Sequence, residues 1–140
     1  MKSLFITLCI TLFFTVTDAA DSVEKAIVLQ NKEGKHMGFM LAHLKPAAKE
    51  GDYQGECVFM LLPTSADLIE TDLGILISEL KVAGEHRCRM SVVTNETKFV
   101  VTPQRLPELT LVIASNGKGT LSKREHGALS QIGLVEFAKK

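Results

Sequence analysis

The sequence predicts an α+β domain, an antiparallel sheet covered by one amphipathic helix, and three observations carry that expectation. A series of short apolar runs is separated by turns rich in Gly, Asn and Pro. One stretch, Thr64 to Ala83, instead repeats its apolar residues at helical spacing. Asn116-Gly117 lies between two β-like runs, a strong hairpin signal because both central residues of such a turn need positive φ.

Taken in order, Val23 to Gln30 reads as the first strand and Asn31-Lys32-Glu33-Gly34 as a turn. Lys35 to Leu44 returns as a second strand. Lys45 to Gly55 carries Pro, Asp and Gly and reads as a loop, and Glu56 to Leu62 is a short apolar run suited to a buried strand. In the helical stretch, Ala66, Ile69, Leu73, Leu76, Ile77 and Leu80 share one side, while Asp67, Glu70, Thr71, Ser78 and Lys81 fall on another. Thr64 with Asp67 resembles a capping box, and Gly84 suits a C-terminal cap. The rival is a strand from Ile75 to Val82. Beyond Gly84, His86 to Thr94, Thr97 to Thr102, Glu108 to Ala114, Gly119 to Lys123 and Ile132 to Phe137 all read as strands. Leu109, Leu111 and Ile113 alternate with Thr110, Val112 and Ala114, which fits a sheet buried mainly on one face. Short turns make neighbouring strands antiparallel, and the helix would cover one face of them.

Leu76 to Cys88 resembles the strand E to strand F corner of an immunoglobulin domain, where a Gly and an aromatic residue precede the second cysteine. The resemblance covers thirteen residues. His86 stands in the aromatic place, no Trp is present, and the interval from Cys57 to Cys88 is too short for that fold's intervening strands. No family follows from it. It leaves an all-β sandwich as the alternative architecture.

The chain has 140 residues, of which 46% are hydrophobic and 23% charged, as expected of one folded domain rather than a disordered segment. Sixteen basic residues balance sixteen acidic ones, and there is no Trp and one Tyr. That composition offers neither a global field for nucleic acid nor aromatic platforms for its bases. Lys2, the apolar run Leu4 to Val16 and the small residues Ala19-Ala20 match a secretory signal peptide over residues 1–20, leaving 21–140 as a single secreted or periplasmic domain. The run is too short for a transmembrane helix, and no second long apolar stretch follows, so no membrane span is expected after cleavage.

Cleavage removes Cys9 and leaves Cys57 and Cys88, which in an oxidising compartment read as one disulfide. Closing that interval stabilises the chain by roughly 3.5–4 kcal/mol on chain entropy. A thiol nucleophile beside His86 and a metal-binding pair of cysteines are the competing readings. The segment His36-Met37-Gly38-Phe39-Met40-Leu41-Ala42-His43 places imidazoles beside thioethers, and His36, Met37, Met40 and His43 are candidate copper ligands. On a regular strand His36 and Met40 would share one face and Met37 and His43 the other, unless Met60 or Met90 joins from a neighbour. Asn95-Glu96-Thr97 is a glycosylation sequon at a turn, with Asn95 as acceptor. Arg87 and Arg89 flank Cys88 and are candidate contacts for an acidic partner.

Hydrolase signatures are missing: there is no Gly-x-Ser-x-Gly elbow and no His-Glu-x-x-His pair. Asp67, Glu70 and Asp72 offer paired carboxylates but suit the wet face of a helix better. The expectation is an exported, disulfide-stapled, non-catalytic binding module: an inhibitor, immunity or accessory protein acting on an extracellular or periplasmic protein. A copper-binding protein is the second reading. An enzyme with an unfamiliar site is the third, and a pocket lined by His86, His126 or Asp67 would favour it.

Overall fold

Alternation decides the architecture. In the computed structural model, which describes residues 22–62 and 72–138, Ile27 and Leu29 of β1 (Val23–Gln30) point inward and are fully buried. The same two-residue period runs through β2 (His36–Pro46), β3 (Asp52–Leu61), β4 (His86–Val93) and β5 (Glu96–Thr102). It continues in β6 (Leu109–Ala114), β7 (Lys118–Glu125) and β8 (Ala128–Phe137). Each strand pairs antiparallel with the next, and β8 pairs back onto β1 to close an eight-stranded up-and-down barrel. A helix, α1 (Asp72–Ala83), interrupts the meander between β3 and β4.

This corrects the expected α+β architecture, an open sheet covered by a helix, and equally the sandwich alternative. The strands fall near the expected places, although β2 runs on to Pro46 and β3 begins at Asp52, both inside the expected Lys45–Gly55 loop, and β8 begins at Ala128 rather than Ile132. Their edges are not free. Ile27 to Gln30 pair with Phe137 to Leu134, and closure replaces both edges with hydrogen bonds. The immunoglobulin-like corner is overturned too: Leu76 to Ala83 is helical rather than extended, and Cys57 and Cys88 lie on adjacent strands.

Eight strands enclose a space just wide enough for side chains to fill. Phe99, Met40, Leu44, Leu111 and Ile113 are fully buried there. Phe99 meets Phe137 edge-on at 6.3 Å, and Lys25 Nζ lies 5.5 Å from the Phe137 ring. Outside, β4 presents Arg87, Arg89 and Ser91, and β5 presents Glu96, Lys98 and Thr102. On these two strands the order is apolar inside and mostly polar outside, the reverse of a lipid-facing strand.

Two irregularities shape the wall. The register shifts between Leu29 and Gln30, so that Met37 is the extra residue opposite them, and again between Leu121 and Ser122. One barrel end is covered by α1. Leu73, Leu76, Ile77 and Leu80 face inward and join the core, while Ile75 and Val82 face out. The helix ends at Gly84, whose φ of 89° gives the left-handed cap. Residues 72–83 fall within the expected helix, and the rival strand is overturned. Thr64, Asp67 and Glu70 lie outside the described residues, as do residues 1–20.

Helix and wall approach closely at Gly133, on β8. A Cβ there would meet the Gln30 carbonyl oxygen and sit 3.1 Å from Leu73 Cδ2. Gly133→Ala should therefore lower stability by about 1–3 kcal/mol, as overpacking does, read as a lower urea midpoint at constant slope. An unchanged midpoint would mean that neither the Gln30 carbonyl nor Leu73 crowds β8 at this position.

Candidate functional site

β4 sorts its residues strictly by face: His86, Cys88 and Met90 are buried, whereas Arg87 and Arg89 are exposed. His86 is only 5% exposed, and its Nε2 lies 2.8 Å from the Leu80 carbonyl oxygen. A carbonyl only accepts, so Nε2 carries the proton and donates it. The ring also meets Phe59 edge-on at 5.8 Å. The imidazole thus ties the last turn of α1 to the barrel, satisfying a carbonyl that the helix end leaves without a partner.

Outside this anchor runs a groove of about 900 Å³. α1 supplies Ser78, Glu79 and Val82, β3 supplies Glu56, β4 supplies Arg87, and the β5–β6 loop supplies Pro103, Arg105 and Leu106. Val82 is 87% exposed. The surface along α1 continues into a smaller depression of about 320 Å³, where Ile75 faces Leu106, Pro107 and Ile132. Basic, acidic and apolar groups are interleaved along one wall, a mixture that suits a protein surface better than a small uncharged ligand.

Of the two arginines singled out in the sequence, Arg87 lines this groove, while Arg89 lies two residues further along the same outer face. His86 lines it as well, but its Nε2 is held by Leu80. His126 is exposed in the β7–β8 turn at φ 52°. Asn95 is exposed in the β4–β5 turn. Sequence reasoning missed Glu79, Val82, Arg105 and Leu106. The readable signal was Ile75 and Val82, seven residues apart, on a stripe that the buried Leu73, Leu76, Ile77 and Leu80 do not use.

The four candidate copper ligands are divided by the wall. Met37 and Met40 are fully buried in the core, and His36 and His43 are exposed. The β-bulge causes this, since it turns Met37 to the same side as Met40 rather than away from it. His43 Nδ1 lies 3.4 Å from Glu24 Oε2 on the outer surface. No cluster of metal-ligating residues occurs among the described residues.

Cys57 and Cys88 come together inside. Gly55 pairs with Cys88 and Cys57 with His86, so the cysteines are diagonal neighbours on one inward face, and both are free thiols here. Cys88 Sγ is 4.0 Å from the Arg89 carbonyl oxygen. A hydrogen bond with the Cys88 thiol, then burial, holds the Cys57 thiol far above its ordinary range. A thiol kept protonated is a poor nucleophile.

That shift has a sign in the stability of the reduced protein. Below about pH 8.5 folded and unfolded thiols both keep the proton. Above it only the unfolded chain releases its proton, so Cys57 makes stability fall as pH rises. In reducing buffer, Cys57→Ser should flatten the fall between pH 8 and 10 in urea titrations. Parallel curves for the two proteins would contradict the buried-thiol assignment.

In comparisons with known proteins, the chain matches no family model, no curated protein and no solved structure.

Proposed function

We propose that the protein is an exported, non-catalytic binding module that recognises a macromolecular partner through the groove beside α1. The observation that carries this reading is Val82, 87% exposed on the wall of a groove of about 900 Å³. It sits at the outer rim of a barrel whose own interior is filled by side chains. A ligand carrier of this architecture keeps space inside for its ligand. Here the concavity is external, with Arg87 and Arg105 set among Glu56, Glu79 and Glu85. Interleaved charges of both signs steer encounter and fix register, and apolar groups such as Val82 and Leu106 supply contact area.

Export and the Cys57–Cys88 bond belong to the same proposal. Diagonal neighbours on antiparallel strands start about 7–8 Å apart at Cα, just outside bridging range. Joining these two therefore asks for a small shear of β3 against β4. The bond would hold together two strands whose connection contains all of α1. Intact mass of the secreted protein should fall two protons below the reduced mass.

Catalysis in the groove is the second reading, favoured by His86 lining it. Against it, the imidazole already serves as the anchor of α1 through Leu80. One experiment separates the two. Cross-linked capture from the extracellular or periplasmic fraction should retain a partner with the native protein and with Arg89→Glu. The same partner should be lost with the double variant Arg87→Glu/Arg105→Glu. Retention by all three proteins would remove the groove from the account, and turnover of a captured substrate would move the protein to the enzymes.

A further inference from the structure

A second surface lies on the outside of β1, β2 and β3. Outward residues there form rows across the strands: Val28 pairs with Phe39 and Phe39 with Met60, while Ala26 pairs with Leu41 and Leu41 with Val58. All six are apolar, where a barrel facing water on every side would place polar groups. Leu41 and Met60 are each 39% exposed, Ala26, Phe39 and Val58 are half-buried, and Val28 is buried, so contact falls mainly on β2 and β3. The next row, Glu24–His43–Glu56, is acidic. At the other end of the same strands the β1–β2 turn presents the exposed Lys32 and Lys35 around a single Glu33. The polar row Gln30–His36 separates the apolar band from that turn, so the band has an acidic border on one side and a polar, then basic, border on the other.

We infer that this face is the interface of a homodimer. The two borders select the occupant. A two-fold axis lying in the face and running across the strands, over the Val28–Phe39–Met60 row, reverses the strand direction between copies. It stacks the central apolar row on its own symmetry mate and sets the acidic border of each copy on the basic turn of the other. An axis along the strands would instead oppose acid to acid. Closed two-fold pairing through one self-complementary patch is the commonest oligomer geometry.

The acidic border is also concave. A depression of about 750 Å³ has Ala26, Leu41 and Val58 on its lining, with three carboxylates, Glu24, Glu56 and Glu85, against one cation, Lys25, around it. An apolar floor with a carboxylate rim matches a lysine, which lays its methylene stem on apolar surface and keeps its ammonium among acids. Lys35 of the second copy has that chemistry and is brought to this border by the axis. The balance of sixteen basic and sixteen acidic residues adds no net repulsion between copies.

Size sets the strength. Three strands at about 4.8 Å and eight residues at about 3.3 Å give a face of roughly 380 Å². Specific interfaces average about 800 Å² per partner, and reversible ones are smaller. The dimer is accordingly reversible, with a dissociation constant on the order of micromolar.

Sedimentation equilibrium of the purified protein between about 1 and 200 µM tests this, with far-UV circular dichroism as the control for folding. A monomer–dimer equilibrium is expected, weakened at least tenfold by Leu41→Arg and by Met60→Arg. Glu24→Lys should weaken it about two- to five-fold, as for an exposed ion pair, and Glu24→Lys/Lys35→Glu should restore it. Glu24 is used because Glu56 also borders the groove beside α1, so failure here leaves the partner-binding reading standing. A monomer throughout the range would overturn the inference. So would a dimer indifferent to both Leu41→Arg and Met60→Arg, or a monomer that binds vesicles of anionic phospholipid through Leu41 and Met60.

Discussion

The pairing of β1 with β8 is the contact on which the rest of the structure depends. It is a short ladder, Ile27 to Gln30 against Phe137 to Leu134, extended by the bond from the Ala138 amide to the Ala26 carbonyl at 2.9 Å. Without it the chain is an eight-stranded meander with two open edges, and its apolar inner face is open to water. With it, inner residues from opposite walls pack against one another, as Phe99 does with Phe137. Closing the first strand onto the last brings together residues as far apart as Gln30 and Glu136, 106 positions along the chain. That closure is costly in chain entropy, and burial of the shared interior offsets it.

Closure also decides where binding chemistry has room. The interior is occupied by its own side chains, so recognition is displaced to the outside and the rims. α1 shapes one rim because its apolar stripe enters the core and because Gly84 and His86 return the chain sharply to β4. The outer stripe Ile75, Glu79 and Val82 is then left facing the β5–β6 loop. Thus a buried imidazole far from any chemistry of its own positions a surface. Val82 and Arg87 line the same groove, and the Leu80–His86 hydrogen bond beneath helps to hold their two elements together.

The strands were legible in the sequence because their signals are local. Val23 to Gln30 was read to the residue, and a hairpin joins β6 and β7 as expected, but its central residues are Ser115-Asn116 and only Gly117 takes positive φ. Gly84 marked the helix end correctly. Barrel closure was illegible because pairing between β1 and β8 leaves no mark near either strand. The face on which each residue lies was legible only where the strand is regular. In β4 alternation placed Arg87 and Arg89 outside and Cys88 inside. In β2 the same rule failed at the bulge, which sends Met37 into the core beside Met40 and separates both from His36 and His43. The groove residues were illegible for another reason. Arg105 and Glu79 come from different elements, and only the position of α1 against the barrel relates them.

The most direct test of this account is amide hydrogen exchange, resolved by residue, across β1 and β8. Amides take on the stability of the unit that must open to release them. In a closed barrel, Val28 and Glu136, whose amides face each other across the closing ladder, exchange as slowly as Leu111 and Phe99 in the middle of the sheet, because all four open only with global unfolding. Exchange at Val28 and Glu136 at least a hundredfold faster than at Leu111, with Phe99 still protected, would show an open sheet with two free edges and would contradict the architecture on which both proposed surfaces are built.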